Sequence, residues 1–141
     1  MADTLELEIV TPDKLLVRGR VDEVQIPGKN GYLGVLPGHA PLITELMIGE
    51  ISYRQGGTTY YLAVAWGFAE VLSDKVTILA DTAERAEEID VERAREAKAR
   101  ADEALQQLKP DLDIDAVLYA QRRAEVRLEV AARAGRATAA H

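Results

Sequence analysis

The chain has no cysteine, and past its first half it has almost no glycine. Without thiols there are no disulfides, no thiolate metal sites and no cysteine nucleophile, though compartment is not revealed by this. Nine of the ten glycines lie at or before Gly67 and the tenth is Gly135, so 67 consecutive residues carry none. Glycine supplies the positive φ angles of tight turns, so a stretch without it has few means of reversing direction. Positive charge is also short: 17 Lys and Arg stand against 24 Asp and Glu, a net charge of −7. That balance excludes a protein built to grip phosphate backbones. No apolar run reaches membrane-spanning length, and no signal peptide opens the chain. An unprocessed protein that does not insert into a membrane is expected. Aromatics are only 5% of residues. Tyr60, Tyr61, Trp66 and Phe68 read as core or interface in acidic surroundings, not as a base-stacking platform.

The glycine-punctuated first half has the two-residue period of half-buried strands. Leu5, Leu7 and Ile9 alternate with Glu6, Glu8 and Val10. Val24 with Ile26, Ile51 with Tyr53, and Val76 with Ile78 and Ala80 repeat the pattern. Thr58–Leu72 is almost wholly apolar or aromatic and reads as a core strand. Gln55-Gly56-Gly57-Thr58 and Ser73-Asp74-Lys75 read as hairpin turns. Pro12, Pro27, Pro37 and Pro41 fall at strand ends or in loops. Short strands at this spacing predict an antiparallel β-sandwich over residues 1–84.

The second half, residues 85–141, is rich in alanine and charge and favours helix. Asp90 fits an N-cap, with Glu92 at the positive end of the helix dipole. Ala94, Ala97, Ala101, Ala104 and Leu108 recur at spacings of three and four, a seam of small residues that admits a second helix closely. Pro110 breaks the helix, and Asp113 or Asp115 is placed to cap the next. On that helix Val117, Ala120, Ala124, Leu128 and Ala131 share a face. The short joint predicts an antiparallel two-helix hairpin. Alanine buries little area, so the hairpin is weakly held and can rearrange or detach. The small, polar tail from Ala134 to His141 is expected to fray.

Charge is uneven. Residues 116–141 hold five arginines and two acids, net +3, on a chain that is otherwise acidic. The last helix therefore suits an acidic partner or an anionic ligand, or is a solvated charged face.

Two stretches carry a family resemblance: Gly31-Tyr32-Leu33-Gly34-Val35-Leu36-Pro37-Gly38-His39-Ala40-Pro41-Leu42, and Val76-Thr77-Ile78-Leu79-Ala80-Asp81-Thr82-Ala83-Glu84-Arg85 followed by Ile89-Asp90-Val91-Glu92-Arg93-Ala94. They resemble the epsilon subunit of rotary ATP synthases, in order, in spacing and over nearly the full chain. The resemblance implies a β-sandwich and a two-helix domain at the foot of the central stalk. It implies partners: the gamma subunit, the c-ring and the alpha and beta catalytic subunits. It also implies a non-catalytic subunit that couples proton-driven rotation to ATP synthesis and inhibits ATP hydrolysis through extended C-terminal helices, peripheral on the cytoplasmic face of a bacterial membrane. Arg122, Arg123, Arg127 and Arg133 are then candidates for contact with an acidic helix-turn-helix region of the beta subunit. Lys29, Asn30, Tyr32 and His39 are candidates for contact with the c-ring or gamma.

The family's nucleotide motif implies an ATP site from Glu84, Ile89, Asp90, Arg93 and Ala94, with Arg123 and Arg127 one turn apart on the last helix. No cofactor is required; ATP is an optional regulatory ligand. The bland reading of the same residues is that Asp90 caps a helix and Arg93 pairs with Glu92 or Glu96. Trp66 departs from the family, which usually has a small residue there. It marks altered packing or a different gamma contact.

His39 is a lone histidine without other ligands nearby, so no metal site is expected. Gly28, Gly31 and Gly34 lack the Lys-Ser/Thr of a phosphate loop. No nucleophile, base and orienting group stand together as an enzyme requires. The alternative reading is a β-sandwich binding module that dimerises through an alanine-rich coiled coil.

Overall fold

The structure, a computed structural model, describes residues 3–139, with side chains through Ala134. Eight strands come first: β1 (Leu5–Val10), β2 (Leu15–Val21), β3 (Glu23–Gly28), β4 (Gly31–Val35), β5 (Leu42–Leu46), β6 (Gly49–Gln55), β7 (Thr58–Val71) and β8 (Lys75–Arg85). A 3₁₀ turn at Ala86–Glu88 leads to α1 (Val91–Gln106) and α2 (Ile114–Ala139). The strands pair in the order β2-β1-β8-β7-β5-β3-β4, with β6 beside both β3 and β7. Every pairing is antiparallel except β1 with β8, which run parallel from Glu6↔Lys75 to Val10↔Leu79. No hairpin links those two strands, so nothing local forces them to oppose.

The sandwich core is aliphatic. Leu5, Leu7, Ile9, Ile26, Ile51 and Ile78 are fully enclosed in it. The alternation read from β1 thus places every second residue inside.

The long apolar run of β7 has a different cause from its neighbours, because both its faces are covered between Leu62 and Ala65. Leu62 and Val64 point into the sandwich core, while Ala63 and Ala65 point into a second apolar cluster with Ile48, Ala86, Ile89, Val126 and Val130. Beyond residue 67 the inward set shifts to Ala69 and Val71. The shift occurs at Trp66 (φ 61°) and Gly67 (φ 124°). There the β7–β8 ladder passes from Ala65↔Thr82 to Gly67↔Ala80 without pairing Trp66 to Asp81. A Cβ on Gly67 would lie 2.0 Å from the Leu79 carbonyl oxygen, so the backbones meet only because glycine is there.

Asp90 and Asp113 begin the helices as N-caps, accepting the Arg93 and Ala116 amide hydrogens at 3.1 Å each. Ala94, Ala101 and Ala124 are buried. Gln121 Nε2 ties the helices together by donating to Asp102 Oδ1 at 2.7 Å. Leu108 does not complete the α1 seam: the helix ends at Gln106, and Leu108 is 64% exposed in the joint. Half-buried Leu105 is the last large apolar residue of the helix instead. The tail does not leave the helix at Ala134; α2 continues through Ala139, in keeping with the propensity of its alanines. Ala140 and His141 lie outside the described residues.

Candidate functional site

The groups with functional promise gather where α2 lies along β7. The two run antiparallel, with Trp66 meeting Tyr119 at one end and Tyr61 meeting Arg133 at the other. Fourteen helical steps cover roughly 21 Å and five strand steps roughly 17 Å, so the two elements keep pace. The apolar part of this contact is narrow: seven buried residues, three of them alanine. Its buried helix side is Val126 and Val130, with Ala131 packed beside them at the end of the Val117–Ala131 face. The i, i+4 spacing of those valines was the available sequence signal.

Ion pairs flank the stripe. Arg127 grips Glu84 with both prongs of its guanidinium, Nε to Oε1 at 2.7 Å and Nη2 to Oε2 at 3.1 Å. Arg133 donates from Nε to Glu50 Oε2 at 2.7 Å and lies over the Tyr61 ring, 5.3 Å from its centroid. The Glu50 hydrogen bond is the first cause that holds the Arg133 guanidinium above its ordinary range. Glu50 and Tyr61 carried no marker in the sequence, because an acid and a tyrosine on strands look like any half-exposed pair.

The residues named for a nucleotide divide into two groups. Glu84, Arg123 and Arg127 line one cavity, with Thr82, Ala83 and Val126. Ile89, Asp90, Arg93 and Ala94 are not among its lining residues. Asp90 is occupied as the α1 cap, Ile89 sits in the second apolar cluster, and Ala94 is fully buried. Glu92 pairs with Arg95 at 2.5 Å rather than with Arg93. The cavity holds about 30 Å³, room for about one water. Glu84 occupies both prongs of the Arg127 guanidinium at its edge.

Of the arginines named for an acidic partner, Arg127 and Arg133 are already held by the sandwich. Arg122 faces Glu125 and Glu129 of its own helix at 3.7 and 3.8 Å. Arg123 has no ion pair among the described residues.

The third set is split in space. Lys29 and Asn30 form the β3–β4 turn, where Lys29 Nζ meets Glu45 Oε2 at 3.2 Å. Tyr32 follows in β4, its ring exposed and its hydroxyl accepting the Glu50 amide hydrogen at 2.9 Å. His39 sits at the other end of β5, in a loop tied to the β7–β8 turn through Gly38 N–H and the Ser73 carbonyl. Its Nδ1 donates to the Ala40 carbonyl at 2.6 Å. The outer face of β5, β7 and β8 presents Ile43 (70% exposed), Phe68 (53%) and Leu79 (53%), an apolar patch that sequence alternation alone did not single out.

The fold and its contacts define a class: a β-sandwich that carries a helical hairpin on one face, joined through small side chains and arginine–carboxylate pairs. Family models match each module, the ATP synthase delta/epsilon chain beta-sandwich domain over residues 4–86 and the long alpha-helix domain of the same chain over residues 87–134. The chain is 71% identical over 111 residues to the ATP synthase epsilon chain of Koribacter versatilis, covering 79% of this chain and 78% of that one. It is 49% identical over 138 residues to that of Geotalea uraniireducens, covering 96% and 99%. Among solved structures, a chain of the Euglena gracilis mitochondrial ATP synthase, determined as an OSCP, F1 and c-ring assembly, is similar at a TM-score of 0.70 and 25% identity, over 100% of this chain and 84% of that one. The chain belongs to the family of F-type ATP synthase epsilon subunits. No helix among the described residues is long and apolar enough to cross a membrane.

Proposed function

We propose that this chain is a non-catalytic rotor subunit at the foot of the central stalk, peripheral on the cytoplasmic face of a bacterial membrane, and that its hairpin restrains ATP hydrolysis when it leaves the sandwich. The observation that carries the reading is the placement of Arg127 and Arg133 on Glu84 and Glu50. Undocking would bare both cations together, on the helix whose charge is opposite to that of the rest of the chain. An acidic surface of the catalytic subunits could then replace the sandwich carboxylates. The narrow apolar contact makes that exchange affordable.

The Ile43, Phe68 and Leu79 patch fits the gamma subunit, since an exposed apolar area of this kind marks a partner surface. The Lys29–Tyr32 turn fits the c-ring. With His39 at the far end of β5, these two partners would meet different ends of the sandwich. ATP would act on the switch beside Glu84 through Arg123 and Arg127, whose forks suit phosphate oxygens, and would hold the hairpin folded. The alanine seam favours this reading over a coiled-coil dimer, because α1 and α2 already fill it within one chain.

The test is reconstitution with the full chain bearing Glu50→Gln and Glu84→Gln. Hydrolysis by the complex should fall severalfold relative to wild type, as freed arginines favour the extended hairpin. An unchanged rate would count against inhibition by undocking. Titrating ATP to millimolar levels while following α2 amide shifts tests the nucleotide part; an unperturbed spectrum removes it.

A further inference from the structure

We infer that Trp66 and Tyr119 form a clasp that biases the hairpin toward its docked posture. The inference rests on the posture change proposed above and names what sets its balance in this chain. Trp66 is the only non-glycine among the described residues with positive φ, at 61°. A side chain with a Cβ is strained in that region, whereas glycine is at ease there, as Gly67 is next door. A bulky indole at such a position must return the strain through contacts made elsewhere.

The indole is partly buried in the second apolar cluster and meets the Tyr119 ring edge-on, with centroids 5.1 Å apart and planes at 89°. Edge-to-face geometry sets the positive rim of one ring against the negative face of the other, an attraction beyond simple burial. The position along α2 matters as much as the geometry. Arg127, Val130 and Arg133 hold the later turns of α2, while Tyr119 stands near its start. Of the ring contacts and ion pairs that join the modules, the Trp66–Tyr119 pair is nearest the hairpin joint. Releasing it would let the first turns of α2, and α1 with them, lift while the arginine pairs still hold.

The backbone strain provides a signature. Trp66→Gly should ease the β7 backbone and loosen the hairpin together, so the sandwich keeps or gains stability while α2 loses protection. Trp66→Leu removes the ring and keeps the strain. Hydrogen exchange on the full chain should show a roughly two- to tenfold rise in opening of α1 and early α2 in Trp66→Gly, Trp66→Leu and Tyr119→Ala. The double variant Trp66→Gly/Tyr119→Ala should add little to either single change, as coupled residues do. Unchanged protection of α2 in the single variants would overturn the clasp. So would equal loss of protection throughout the sandwich in Trp66→Gly, which would make the residue structural only. Loosening in the isolated chain without any change in hydrolysis by the complex would uphold the clasp and tell against inhibition by undocking.

Discussion

Arg127 and Glu84 stand 43 residues apart in sequence, and each uses two atoms on the other, at 2.7 and 3.1 Å. A fork on a carboxylate fixes direction as well as distance, so this pair sets how α2 lies along β7. Both side chains keep partial access to water, which limits its energetic worth. Glu84→Gln should weaken hairpin docking by about 1 kcal/mol. Hydrogen exchange across α2 at increasing salt checks it: salt should loosen the wild-type hairpin more than the variant, because screening acts on the charge pair.

The Val126 and Val130 stripe makes a different prediction. Val130 is fully buried against the sandwich. Val130→Ala should cost about 2 kcal/mol of docking, from two lost methyl groups and the gap they leave. Exchange in α2 should rise while exchange in β1 and β8 stays unchanged. Equal loss in both would mean that the modules unfold as one unit.

Gly67 sits at the point where β7 changes face. A methyl there would collide with the Leu79 carbonyl at a φ of 124°. Gly67→Ala should destabilise the sandwich by at least about 3 kcal/mol, read as a shift in the urea midpoint. A near-normal midpoint would show that the two strands can part at the corner.

Asp102 gives the hairpin a pH dependence. The Lys98 hydrogen bond, and after it the one from Gln121, holds its carboxyl below the usual carboxylate range. A depressed carboxylate pKa contributes stability that is full above the unfolded-state value and is lost as pH falls through the folded one. Acid below the ordinary carboxylate range should therefore weaken α1 itself through the Lys98 pair, and to a lesser degree its link to α2 through Gln121. Titrating the Asp102 carboxyl by NMR checks this. Lys98→Ala should return its midpoint furthest toward normal, and Gln121→Ala should return it less.

Much of this architecture could be read from local pattern. Leu5, Leu7 and Ile9 announced their strand by alternation, Asp90 its helix by capping, and Ala94 with Ala101 the helix–helix seam by spacing, while the choice of Asp113 over Asp115 as the second cap came from the structure. Family motifs pointed to Glu84, Arg123 and Arg127 as neighbours, and the cavity brings those three together. Asp90 and Arg93 stand at the start of α1, where Asp90 accepts the Arg93 amide hydrogen as the helix cap. Their spacing serves helix capping as well as ligand binding, and spacing alone does not separate the two.

What the order of residues determined by itself was the elements with a clear period (β1, β3, β6, β7, β8 and the two helices) and the apolar face by which most of them pack. These follow from backbone geometry that repeats within two to four residues. Only the tertiary structure decided which faces meet. It placed β1 parallel to β8, laid the valine stripe of α2 on Ala63 and Ala65, gave Arg133 to Glu50, and turned Trp66 onto Tyr119. Such matches join residues far apart in the chain. They are settled by how whole surfaces fit, for which no short-range period carries a signal.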